Sequence, residues 1–308
     1  MPFASGLVEH RATWPGFGVA PRPKPFGTYI LKIGASKMLI RLGYDIQFDI
    51  PATVAMVALL NVHPSRAHDL LQPDELQTEP KLQITHYIDS FGNRCARFVA
   101  PKGQLRLFNS TLIQDSGVPD GFDWSARESS VGDLPNEMLS FLLNSRYCEV
   151  DRFSTIALEL FGHIQPGWGR VQAICNWVNN KVIFNYQQAR PTKTALDVFT
   201  ERVGVCRDFQ HLAITFCRAL NIPARYATGY LGDIGVPERL PMDFSAWFEA
   251  YLGGRWWAFD ARNNQPRIGR VLMATGRDAA DVAMTTSFGQ ADLRNFFVVT
   301  EEDKKQAL

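Results

Sequence analysis

The chain has almost no net charge: 32 basic and 31 acidic residues leave a formal charge of +1. The basic residues gather into no stripe or patch, so the electrostatic footprint of a nucleic-acid binder is missing and no nucleic acid is expected as a partner. Long apolar runs are missing too. The most hydrophobic stretch, residues 54–62, falls far short of the roughly 18 residues that span a bilayer, so no membrane segment is expected. No CxxC pair occurs among the five cysteines, Cys95, Cys148, Cys175, Cys206 and Cys217, which removes zinc-ribbon and dithiol redox readings. Their odd number and wide spacing argue against a disulfide framework and fit buried thiols in a reducing compartment, so a cytoplasmic location is expected. There is no ligand-spaced His/Cys/Asp/Glu cluster, no phosphate-cradling glycine loop and no calcium loop; no metal and no organic cofactor is implied. The first residues carry no charged region followed by an apolar one, so no secretory signal is expected.

What the sequence does have suits a folded protein with a sizeable core: 46% hydrophobic and 20% charged residues over 308 positions, enough for one large domain or two ordinary ones. Residues 1–37, rich in proline and glycine around Trp14-Pro15-Gly16-Phe17, read as a flexible extension. Residues 38–117 read as a β-rich domain: an alternating strand from Tyr44 that stops at Pro51, then strands near 82–88, 96–100 and 104–113, separated by turn signals such as Asp89-Ser90-Phe91-Gly92-Asn93. Short strands with polar turns suggest a small sandwich. Residues 118–135 (Ser, Gly, Pro and Asp) read as a linker, and residues 136–308 as a second domain. Its pattern begins helical, with Leu139, Leu142 and Leu143 on one face, and Ile156, Leu158 and Leu160 follow in another candidate helix. Val171, Ile174, Cys175 and Val178 then recur at i, i+3, i+4, i+7. Strands near 225–231, 244–252 and 255–260 follow, giving an α+β class for the whole.

One cysteine stands apart. Downstream of Cys206 apolar side chains recur at Phe209, Leu212, Ala213, Phe216 and Leu220, one helix face that ends at Pro223. Cys206 therefore opens a helix, where free backbone N–H groups and the positive dipole end favour a thiolate and could serve an oxyanion. Gly204, lacking a side chain, would let a substrate backbone approach. A thiolate nucleophile needs a base held by a third group. If Gly253-Gly254 is a two-residue hairpin loop, Trp247 faces Asp260 and Ser245 faces Arg262. Ser245 and Asp260 then share a face as diagonal neighbours, roughly 7–8 Å apart at Cα. A histidine at 245 could reach Asp260; serine cannot, and it accepts no proton near neutral pH. Of the six histidines only His211 is near Cys206 in sequence, and five helical steps turn it about 140° away from the nucleophile.

Four blocks in order, Gly204-Val205-Cys206-Arg207-Asp208-Phe209, Pro223-Ala224-Arg225-Tyr226, Asp243-Phe244-Ser245-Ala246-Trp247 and Phe259-Asp260-Ala261-Arg262-Asn263, resemble the core of the bacterial transglutaminase-like superfamily over about residues 150–300. The β-rich segment resembles the N-terminal region often attached to it. The resemblance implies an N-terminal β-sandwich followed by a papain-like core of helices and antiparallel sheet. It also implies cysteine-dependent acyl transfer or amide hydrolysis on a protein or peptide substrate, with no cofactor. Carried over, Cys206 matches the nucleophile and Asp260 the acid that orients the histidine, while Ser245 falls where the family pattern reads Asp-Phe-His-Ala-Trp. Gly204 and Trp247 fall on the expected substrate cleft. Two readings follow: an impaired cysteine enzyme, or a pseudoenzyme that holds a peptide or partner protein. Nothing in the sequence specifies an oligomer.

Overall fold

The computed structural model describes residues 38–238 and 241–304; the proline-rich extension lies outside them. Alternation in the sequence becomes alternation in burial. Strand β1 (Met38–Ile50) buries Ile40, Leu42, Tyr44, Ile46, Phe48 and Ile50, and it starts well before the alternation that Tyr44 opens. It is followed by β2 (Val54–Ala58), β3 (Gln77–Glu79), β4 (Thr85–Ile88), β5 (Arg94–Ala100) and β6 (Gly103–Asp115). Helices α1 (Ser154–Phe161) and α2 (Trp168–Lys181) come next. After them come the short pair β7 (Ile183–Phe184) and β8 (Val203–Gly204), with α3 (Ala195–Glu201) between its strands, and then α4 (Cys206–Ala219). Strands β9 (Ala224–Leu231), β10 (Ser245–Leu252), β11 (Arg255–Phe259), β12 (Arg270–Gly276), β13 (Thr285–Ser287) and β14 (Asp292–Glu302) complete the order.

These strands make three four-stranded sheets, ordered β14-β1-β6-β3, β13-β2-β5-β4 and β11-β10-β9-β12. The first two pack face to face through Ile40, Leu42 and Ile46 on one side and Met56, Phe98 and Ala100 on the other, the expected sandwich. Their shared core also takes Tyr230, Phe244, Val271 and Met273 from the region of the third sheet. The chain's last strands return to the first sheets. β14 pairs with β1 from Ile40↔Glu302 to Asp49↔Asp292, and β13 pairs with β2. The described residues consequently fall in one compact unit. The stretch expected to link two halves is stapled down. Ala126 O accepts from Trp168 N at 3.1 Å and Arg127 O from Gly253 N at 2.8 Å, and Glu128 accepts from Gly167 N at 2.8 Å and Arg170 at 3.0 Å.

The helical half forms largely as its periods require. Val171, Ile174, Cys175 and Val178 of α2 are all fully buried, as are Leu212, Ala213 and Phe216 of α4. The first expected helix differs: Asn136–Leu142 is a 3-10 helix that buries Met138 and Phe141 and leaves Leu139 and Leu143 exposed. In a 3-10 helix residues three apart eclipse one another, so 138 and 141 share the inner face. The β10–β11 hairpin has the expected register, Phe248↔Phe259 through Leu252↔Arg255. Gly253 and Gly254 both take positive φ, 59° and 82°, the mirror-image turn that suits right-handed strand twist. The ladder ends at 248/259, so positions 245 and 260 lie just beyond it.

Candidate active site

Cys206 is the first residue of α4 and is half-buried. The helix start does not deliver a thiolate. Burial pushes the thiol up to about 11, the Asp243 and Asp208 carboxylates add to that, and the Arg262 guanidinium opposes it. Asp208 also sits at the helix end, its carboxylate accepting from Val205 N at 2.8 Å, while the Arg207 N–H still favours the thiolate but does not outweigh burial. Gly204 has a structural reason for being glycine: an added Cβ would lie 2.6 Å from Asp208 Cβ. It is buried, and the close approach expected from a substrate is made by Asp208 instead.

A cavity of about 290 Å³ opens beside this helix start, lined in part by Tyr186, Asp243, Ser245, Arg262, Asn263 and Arg267. Cys206 is not among the lining residues, but Tyr186, Asp243 and Arg262 each act electrostatically on its thiol or feel it. Burial raises the Asp243 carboxyl, while the Phe244 N–H, Arg262 and the Tyr186 hydroxyl pull it back. Arg262 lies 3.9 Å over the Phe184 ring. Ser245 thus shares a cavity with groups that set the state of Cys206. Trp247, expected on the cleft wall, does not line it: the residue is 1% exposed and packs under the Arg270 guanidinium at 4.7 Å.

Asp260 is buried and already engaged. Oδ1 accepts from Gln210 Nε2 at 3.1 Å and from the backbone N–H groups of Arg262 and Asn263, each at 3.0 Å. Oδ2 accepts from Asn263 Nδ2 at 2.9 Å, with Arg270 Nη2 3.7 Å away. The Asn263 amide thereby takes one of the positions on this carboxylate that an imidazole N–H would use, and Asn263 also faces the cavity. Sequence reasoning missed Gln210, which sits one turn below Cys206. Gln210 donates to Ala246 O at 3.2 Å as well as to Asp260, and accepts from Ala261 N at 3.1 Å, tying α4 to both hairpin strands. An amide side chain inside an otherwise apolar helix face was the available signal. Arg270, which links Asp260 to Asp120 of the stapled stretch, was signalled by a cation heading the apolar run Val271-Leu272-Met273-Ala274.

No described histidine lines the cavity. His211 is fully buried, stacks on Tyr147 at 4.9 Å between centroids and accepts from Ala279 N at 3.1 Å. Burial lowers its pKa to about 3, against the pull of Asp278, so it is a neutral packing residue, as its helical angle implied. Among the described residues no group of acidic, histidine and cysteine side chains is arranged to hold a metal, and no helix is long and apolar enough to cross a membrane.

The sequence model of the transglutaminase-like superfamily matches residues 155–261, a span that contains Cys206, Ser245 and Asp260. A solved structure described as a candidate cysteine protease from Cytophaga hutchinsonii is 32% identical, with a TM-score of 0.75 over 86% of this chain and 91% of that one. The chain belongs to the transglutaminase-like superfamily. An uncharacterised protein of Mycobacterium leprae is 26% identical over 247 residues, 77% of this chain and 87% of that protein. The likeness to these two relatives extends beyond the core matched by the superfamily model to most of the chain.

Proposed function

We propose that this superfamily member keeps the nucleophile and the acid of a cysteine acyl-transfer site and carries serine where the base would stand. It would bind peptide-like amides and turn them over slowly or not at all. The observation that carries the reading is the cavity beside Cys206, where Ser245 stands among Tyr186, Asp233, Asp243, Arg262 and Arg267 with no imidazole. In the acyl-transfer reaction the sulfur attacks the amide carbonyl, the amine leaves with a proton, and the acyl group passes from sulfur to water or a second amine. Both steps need a group that takes up and returns a proton. With the thiol held at about 11, roughly one molecule in ten thousand is thiolate at pH 7. Ser245 offers no acceptor, and a missing triad member typically lowers rate by several orders of magnitude. Engagement of Asp260 with Gln210 and Asn263 favours the non-catalytic form of this reading, in which the cavity serves binding.

The test is Ser245→His, assayed for amide hydrolysis and for amine incorporation beside the native chain. Turnover rising by at least about a hundredfold in the variant identifies a disabled enzyme. Absence of turnover in both forms, with Cys206 of the variant alkylated no faster than an ordinary thiol, removes the acyl-transfer reading and leaves binding.

A further inference from the structure

The far wall of the same cavity holds polar atoms that the fold leaves unused. Arg267 and Thr300 both line the cavity and are 6% and 2% exposed, yet Arg267 Nε and Thr300 Oγ1 have no hydrogen-bond partner. The two side chains meet around Gly232. Arg267 Nη2 donates to Gly232 O at 2.9 Å, and a Cβ on Gly232 would lie 3.1 Å from Thr300 Cγ2. Thr300 N has a thioether for a partner, Met242 Sδ at 3.5 Å, a weak acceptor from another cavity-lining residue. Three donors, a guanidinium N–H, a hydroxyl and a backbone N–H, thus belong to two side chains set against Gly232, with the Met242 thioether on the backbone N–H. Leaving buried donors unpaired is costly, and such groups in native structures call for an explanation.

We propose that this corner is a carboxylate subsite, and that the ligand of the cavity is a peptide or acylated amino acid with a free carboxylate. The proposal rests on the reading of the site as one for peptide-like amides. A carboxylate presents two acceptor oxygens and matches charge-assisted donors of this kind. The guanidinium that would anchor it already carries Asp233 on Nη2 at 2.9 Å and offers Nε alone to a ligand, and Asp243 is a second carboxyl in the cavity. A single negative charge is therefore tolerated better than the two of a phosphate monoester. Nε and Oγ1 are closed to solvent in the unliganded form, so a carboxylate entering from the cavity reaches them only as neighbouring side chains yield.

The probe is a pool of N-acetylated tripeptides randomised at every position, made as free acids and as C-terminal amides. The pool is incubated with the full chain, and the retained fraction is read by mass spectrometry. Free acids are expected to be enriched over amides by at least about tenfold, and Thr300→Val and Arg267→Lys are each expected to bring that ratio down toward one. Should Arg267→Lys fail to fold, because it also holds Gly232 O and Asp233, the near-isosteric Thr300→Val decides. Equal retention of acids and amides, retention of neither, or an unchanged ratio in Thr300→Val overturns the proposal. The same pools given to Ser245→His separate it from the acyl-transfer reading. Equal turnover of acids and amides sinks the subsite and keeps the chemistry; acid preference without turnover does the reverse.

Discussion

The thiol at position 206 is kept protonated by burial and by two carboxylates, Asp243 and Asp208, against the Arg262 guanidinium and the Arg207 backbone N–H. Asp243 is the one of the two that also borders the cavity, so its charge is the adjustable part. Asp243→Asn is expected to lower the Cys206 midpoint from about 11 and to raise the alkylation rate at pH 8. A rate unchanged from the native chain would mean that the carboxylate does not act on the thiol. The sequence singled out Cys206, Ser245 and Asp260 as candidates because helix and hairpin periods are local. It did not reveal Asp243, Tyr186 or Asn263 as their neighbours, since a polar residue in a loop declares no direction until tertiary packing sets one. Gly204 illustrates a related point: the sequence shows that a glycine must be approached closely, but not whether Asp208 or a substrate approaches it.

Among the elements, α4 and the β10–β11 hairpin form the frame of the site, and Gln210 is the joint between them. Its amide satisfies Asp260, Ala246 O and Ala261 N at once. Gln210→Leu is expected to destabilise the protein by about 2–4 kcal/mol, since several buried polar groups would be left unpaired at roughly 1–3 kcal/mol each. The urea midpoint measures this, and a loss below about 1 kcal/mol would show that the joint is not structural. The hairpin register was legible because two glycines fix the loop and the loop fixes the pairing. The 3-10 segment at 136–142 was not, because leucines spaced at three and four fit an α-helix on paper while the real turn buries Met138 and Phe141.

At the scale of the whole molecule, the last strand belongs to the first sheet. β14 makes its ladder with β1 across most of the chain and buries Val298 in the sandwich core, while Thr300 of the same strand reaches the cavity. Removing residues 292–308 is therefore expected to abolish cooperative unfolding, not merely to trim a tail; an unchanged thermal midpoint would contradict this. The return was hidden in the sequence because Phe296-Phe297-Val298-Val299 does not alternate, and its partner lies some 250 positions earlier. Local pattern thus gave the fold class and most elements, and long-range pairing supplied the single compact unit.

Burial and nearby carboxylates hold Cys206 as a thiol with no base to offset them, and the rate of Cys206 alkylation by iodoacetamide against pH tests that directly. A group whose pKa is raised by the fold reacts slowly below that pKa and gains about tenfold per pH unit until it is reached. The native chain is expected to climb without a plateau up to about pH 11, and Ser245→His to show a plateau that begins near neutrality. A native chain that already reacts at its plateau rate at pH 7 would contradict the account.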